Sequence, residues 1–198
     1  MDIQAFIRSL NPFDLLVVLG LMAFFILGFI QGTIRRLLGI ASIVFSFLVA
    51  AQLQGPFGDF LVANWTTFPE AYSRMIAMGS VFLAATLGFT VAIQIFYKVV
   101  PLFEKYPVVD EVLGGILGVL QGAIVIGALI MIVDPFYRLP VASRTFNGEM
   151  AVIRSLFDAY DGSQTAVVYR SQIIPAVIAV VGALIPQGVK DVFAGSEA

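Results

Sequence analysis

Residues 15–34 read LLVVLGLMAFFILGFIQGTI, with no Asp, Glu, Lys or Arg among them. At about 1.5 Å of rise per residue they make a helix of about 30 Å, the thickness of a bilayer's hydrocarbon layer. The run lacks polar/apolar alternation and far exceeds the roughly 9–11 residues of a membrane-barrel strand, so a helix is expected. It is also longer than the apolar core of about 7–15 residues in a secretory signal, and no small-x-small cleavage pattern follows. It therefore reads as a retained span.

Three further charge-free runs lie outward from it, at 37–53, 75–97 and 112–133. Only 37–53 is short, and Arg36 beside it could be drawn in by snorkelling. The fold class predicted is all-α: a polytopic membrane protein with about four transmembrane helices in residues 1–134. Composition agrees. Of 198 residues, 60% are hydrophobic and 12% charged, against about 45–50% and about 25% in soluble domains. The 11 basic residues are outnumbered by 13 acidic ones, so no basic field exists to neutralise a run of phosphates, and nucleic acid is not an expected partner. The lipid bilayer is the expected partner instead.

Between the second and third runs, residues 55–74 carry Phe57, Phe60, Trp65, Phe68 and Tyr72 and read as an interfacial aromatic belt. Pro101 and Pro107 punctuate the next connection. After Asp134 the composition becomes ordinary, which predicts an extramembrane tail over 135–198. In it Val152, Ile153, Leu156, Phe157 and Tyr160 recur at helical spacing and predict an amphipathic helix over 149–161, stopped at Asp161-Gly162. The apolar segment 173–186, bounded by Pro175 and Pro186, is too short to span and reads as interfacial or re-entrant. In the tally of Lys and Arg near the membrane, Arg35, Arg36, Lys98 and Lys105 fall on one side and Arg8, Arg74, Arg138 and Arg144 on the other, an even count; only the tightness of the Arg35-Arg36 pair points to the first side as cytoplasmic, with both termini outside.

With no cysteine and no histidine, disulfides, thiolate nucleophiles, zinc sites and the usual general base are excluded. No cofactor or metal-binding pattern is visible, and no nucleophile is paired with a base, so an enzyme is not expected. The signals that remain concern packing and polarity. Gly28 and Gly32 in the first run, and Gly114, Gly118 and Gly122 in the fourth, stack at four-residue spacing, as do Ala84, Gly88 and Ala92 in the third. Such small faces let helix backbones approach closely, and they predict a compact bundle with a surface for a second copy or another membrane protein. Gln31, Gln94 and Gln121 fall in one membrane half and read either as interhelical glue or as a polar patch lining a water-accessible cleft. Asp14 and Asp110 open the first and fourth helices, where the macrodipole and free N–H groups favour a carboxylate. Residues 27–34 echo residues 117–124 through a shared Gln-Gly pair, a pointer towards transporter-like internal symmetry.

These residues together resemble the colicin V production protein (CvpA-like) family of the bacterial cytoplasmic membrane. The resemblance rests on Asp14, on Gly32 and Arg35 in the turn after the first helix, and on Asp110-x-x-Leu113-Gly114-x-x-x-Gly118-x-x-x-Gly122, within about 12–134. Family members commonly carry a basic residue before the glycine of both motifs, where this chain has Gln31 and Gln121. The resemblance implies a four-helix inner-membrane protein, a non-enzymatic accessory or scaffold role in toxin production or export, a contribution to envelope stress tolerance, and no cofactor. In related proteins a periplasmic domain follows the helices, which implies an external C-terminus. A small transporter or channel component is the competing reading, carried by the glutamines and the echo.

Overall fold

The computed structural model describes residues 11–96, 107–137 and 151–181. The expected connection around Pro101, the stretch 138–150 and the end of the 173–186 segment lie outside the described residues. All described elements are helical: α1 Pro12–Gln31, α2 Thr33–Asn64, α3 Glu70–Phe96, α4 Pro107–Tyr137, α5 Ala151–Asp161, α6 Gln164–Val168, a π-helical turn Tyr169–Ile173, and α7 Ile174–Val181. The first four are long and apolar enough to cross a membrane, and the fold is that of a polytopic, multi-pass membrane protein. Their outward positions are greasy, among them Leu16, Val18, Ile30, Leu87 and Ile116, as hydrocarbon solvent requires.

Helix α4 is the hub. It packs antiparallel against α1 on one side and beside α2 on the other, while α2 pairs with α3 and makes little contact with α1. Between α2 and α3, Phe47 meets Phe82 at 6.4 Å and Phe45 meets Phe89 at 5.3 Å, both edge to face. The α1–α4 contact is closer. A Cβ on Gly28 would overlap the Gly114 carbonyl, one on Gly118 would overlap the Phe24 carbonyl, and one on Gly122 would lie 2.9 Å from the Phe24 ring. Gly32 sits at the turn with φ +75 and is the single residue between α1 and α2, a left-handed backbone that glycine adopts without a Cβ penalty.

Several boundaries differ from the sequence expectation. Helix α2 begins at Thr33 and runs to Asn64, well beyond 37–53, so Arg35 and Arg36 lie in its first turns and not in a loop. Pro56 removes the N–H that would bond the Gln52 carbonyl. Near hydrocarbon the remaining backbone groups have no better partner than the helix, and it continues through the proline. The belt expected over 55–74 is divided accordingly: Phe60 and Trp65 face outward, whereas Tyr72 is buried and Phe68 packs against the core. The stripe of Ala84 and Gly88 faces outward, and a Cβ at Gly88 would meet open space; it does not hold this bundle together.

The tail differs most. Residues 164–181 form one nearly continuous helical rod with Pro175 inside it, not at its edge. Pro175 cannot donate to the Ser171 carbonyl and its ring needs room there; the wider π turn supplies it, with the Ile174 N–H bonding the Tyr169 carbonyl. This rod is not peripheral to the bundle. Tyr169 packs on Gly127, and its hydroxyl donates to the Ala123 carbonyl at 2.7 Å, about 16 Å inward of Asp134 along α4.

The tight α1–α4 crossing predicts a sharp positional contrast. Gly118→Leu forces two backbones apart and should cost at least the roughly 1–3 kcal/mol of overpacking, read as a lower melting temperature in detergent. Gly88→Leu and Gly20→Leu, where a Cβ meets nothing within 4 Å, should melt within about 0.5 kcal/mol of wild type.

Candidate functional site at the two membrane edges

Each charge-free run, extended to the nearest ionisable residue, marks a band: 37–58 in α2 and 112–133 in α4, each about 33 Å long. The polar residues gather just outside or at the rim of these bands. At one edge lie Gly32, Arg36 and Asp110; at the other lie Asn11, Asp14, Asp134 and the start of the tail.

Both aspartates singled out in the sequence sit in the first turn of their own helix, yet each binds the N-terminus of a different one. Asp14 accepts from the Gln164 N–H at 3.0 Å, from the Thr165 N–H at 2.9 Å and from the Thr165 hydroxyl at 2.6 Å. It thus satisfies free donors at the start of α6. Asp110, 8% exposed, accepts from the Thr33 N–H at 3.4 Å, and its own carbonyl accepts from the Thr33 hydroxyl at 3.1 Å. It thereby ties the start of α2 to α4. A carboxylate at a helix N-terminus is favoured by the aligned peptide dipoles; here that attraction joins elements distant in sequence.

Around Asp14 the tail is clamped further. Asn11 donates to the Ala159 carbonyl at 2.8 Å, and Ser163 caps α6 by accepting from the Ala166 N–H at 3.0 Å. Phe13 meets Tyr160 edge to face at 5.2 Å. Arg170 reaches back towards the edge, donating to Asp134 at 2.7 Å and to Asp161 at 2.6 Å, with its guanidinium 4.9 Å from the centre of the Tyr160 ring. Asp134 is buried, so this pair is a specific lock between α4 and the tail and not a solvated surface bridge. In α5 only part of the expected apolar face turns inward: Phe157 and Tyr160 are buried, while Val152 and Leu156 are exposed.

At the opposite edge, Arg36 is 5% exposed and donates to the Gln121 amide oxygen at 2.7 Å. Gln121 is therefore bound to a cation and not to Gln31 or Gln94, and among the described residues no hydrogen bond joins any two of the three glutamines. Gln31 and Gln94 are half-buried, as is Arg35. The two copies of the echo are not equivalent in space either, since 27–34 spans the end of α1, the Gly32 turn and the start of α2, whereas 117–124 lies inside α4. Sequence reading passed over Gly39, Gly115 and Gly127, which make room for Gln121, Phe25 and Tyr169 respectively. They fall off the four-residue register that drew notice to the others. Among the described residues, no three carboxylates come together in a way that could hold a metal ion.

The clamp predicts how the tail is lost. Asp14→Ala removes one acceptor from three donors at the α6 start and, by analogy with N-cap deletions, should cost about 0.5–2 kcal/mol, seen as faster proteolysis within 151–181 while α1–α4 stay intact. Arg170→Gln, which strands a buried Asp134, should open the tail further in the same assay. Unchanged cleavage in both variants would exclude the clamp.

The sequence profile described as Colicin V production protein matches residues 13–182, reaching past the four long helices into the tail. A curated relative from Haemophilus influenzae, named Colicin V production protein homolog, is 29% identical over 123 residues, 61% of this chain and 72% of that protein. No solved structure matches the chain. With most of its length matched, the chain belongs to the colicin V production protein family.

Proposed function

We propose that the protein is an accessory component of toxin production in the bacterial inner membrane, acting as a packed scaffold without chemistry of its own. Family membership supports the connection with toxin production. The observation that carries the scaffold reading is how the family-motif residues are used: Asp14, Gly32, Asp110 and the α4 glycines are engaged in joining one helix to another. A role in envelope stress tolerance fits the same picture, because a rigid bundle with greasy outward faces is suited to holding other membrane components together. In a host that secretes a colicin-type toxin, deletion of this gene should lower released toxin several-fold. Wild-type protein should restore release and Gly118→Leu should not. Undiminished release from the deletion strain would end this reading.

In this reading the Gly32 turn and the connection between α3 and α4 face the cytoplasm and both termini face outward, supported by the Arg35-Arg36 pair beside that turn. The chain contains no cysteine, so one introduced thiol reports cleanly. Asp158→Cys, on an exposed position of α5, should react with a membrane-impermeant maleimide in intact spheroplasts; reaction only after lysis reverses the orientation.

A second reading, a small transporter or channel component, draws on the buried Arg36–Gln121 pair. Liposomes holding the purified protein would then pass a small anion, and Gln121→Leu would reduce the flux. Liposomes that stay tight to a panel of anions would remove it.

A further inference from the structure

The outward C-terminus assumes four crossings, with the tail returning to the side it started from. The course of the rod over 164–181 is different. Its start lies at the Asp134 edge, where Asp14 binds the first turn of α6 and Arg170 bonds Asp134. From there it descends along α4. The Ile173 side chain comes 4.0 Å from where a Cβ on Gly127 would stand, and the Tyr169 hydroxyl donates to the Ala123 carbonyl. Deeper still, Ile173, Ile174 and Val177 line one apolar cavity with Leu120, Ile124 and Gly127. All these α4 residues lie inside the charge-free band 112–133, so the rod runs antiparallel to α4 at acyl-chain depth. Its exposed positions there, Pro175, Ala176 and Ala179, are apolar too, as a surface facing hydrocarbon requires.

Measured between its prolines, the tail segment is too short to span. Measured between charges it runs from Ser171 to Val189, with Arg170 before it and Lys190 after it. That is about 28 Å of helix against about 30 Å of hydrocarbon. The register against α4 agrees, because Lys190 lies as many residues beyond Ile173 as Asp110 lies before Gly127. An uninterrupted antiparallel helix therefore sets Arg170 at the Asp134 edge and Lys190 level with Asp110.

The two ways of leaving the bilayer differ in cost. α7 is helical to Val181, about 12 Å deeper than Ile173 and about 10 Å short of the rim at Val112. A helix that stopped there would leave its last four carbonyls in hydrocarbon without donors. Onward, about seven more helical residues reach the Asp110 edge, and residues 182–189 carry no charge. The way back to the Asp134 edge is about twice as long. A helical return draws Lys190 and Asp191 through hydrocarbon, and an extended one strips the backbone of partners.

We infer that the tail crosses the membrane as a fifth span over about residues 171–189, so that α5 and the C-terminal residues lie on opposite faces. Taken with the orientation proposed above, a fifth crossing leaves the N-terminus outside and brings the C-terminus to the cytoplasmic face, the one point at which it replaces the four-crossing topology.

The cysteine-free chain allows a test that does not depend on absolute orientation. Single-thiol variants Asp158→Cys, on α5, and Ser196→Cys are treated with a membrane-impermeant maleimide in intact spheroplasts and after lysis. One should react in intact spheroplasts and the other only after lysis. If they keep to opposite faces with Ser196→Cys reacting in the intact cells, the orientation fails and the fifth crossing stands. Reaction of both from the same face would overturn it. Ala179→Cys, at an exposed position of the rod, supplies a second measurement. Enclosed by acyl chains, its thiol stays protonated and away from water, and in lysed membranes it should label about tenfold less than Asp158→Cys until detergent denatures the protein. Labelling of Ala179→Cys as fast as Asp158→Cys in native membranes would also overturn the fifth crossing.

Discussion

Hydrocarbon gives two apolar helices no reason to prefer each other over lipid, so an association inside a bilayer must come from close packing or hydrogen bonding. In this protein the decisive contact is backbone against backbone at the α1–α4 crossing, where Gly28, Gly114 and Gly118 leave no volume for a Cβ. Everything else is arranged around it. With α1 pressed onto one side of α4, α2 is left to use the other side, and the single-residue turn at Gly32 is the short route between those two positions. α3 then completes the bundle through its aromatic and small-residue contacts with α2.

The two aspartates fix this arrangement at its ends. A helix N-terminus at a membrane edge exposes donors that lipid cannot satisfy. Asp110 meets those of α2 and Asp14 meets those of α6, and both do so from a neighbouring helix. The same carboxylate thus serves as cap and as crosslink. This explains how a tail of modest length is carried alongside α4 as far as Ala123.

Much of this was legible in the sequence because hydrocarbon is a demanding solvent. A charge-free run of 20 or so residues admits few structures, and the four spans were found from that constraint alone, as was the choice of helix over strand. The glycines at 28, 114, 118 and 122 were visible through their spacing. What escaped was whatever depends on a partner far away in sequence. The length of α2 was missed because Pro56 and Gly55 are turn signals in water and weak ones beside lipid. The tail rod was missed because Pro175 marks a boundary unless a π turn precedes it. Asp14 and Asp110 were given to their own helices, since nothing in a one-dimensional pattern shows that a neighbouring N-terminus lies within reach. Arg36 read as a snorkelling flank because it stands one residue outside an apolar run, and only the placement of Gln121 and Gly39 reveals that it turns inward.

The contrast between the half-buried Arg170 and the buried Arg36 bears on how the two edges are held. At one edge Arg170 is matched by Asp134 and Asp161 and covered by the Tyr160 ring; its charge is closed within the chain. At the other, Arg36 meets a neutral amide. Carboxylates are not scarce there, since Asp110 and Glu111 open α4 at the same edge, yet Asp110 is turned to the α2 N-terminus. The two arginines therefore serve different contacts, one ionic and one to a neutral amide. The first holds the tail to the bundle, and the second ties the start of α2 to the middle of α4 at the opposite edge.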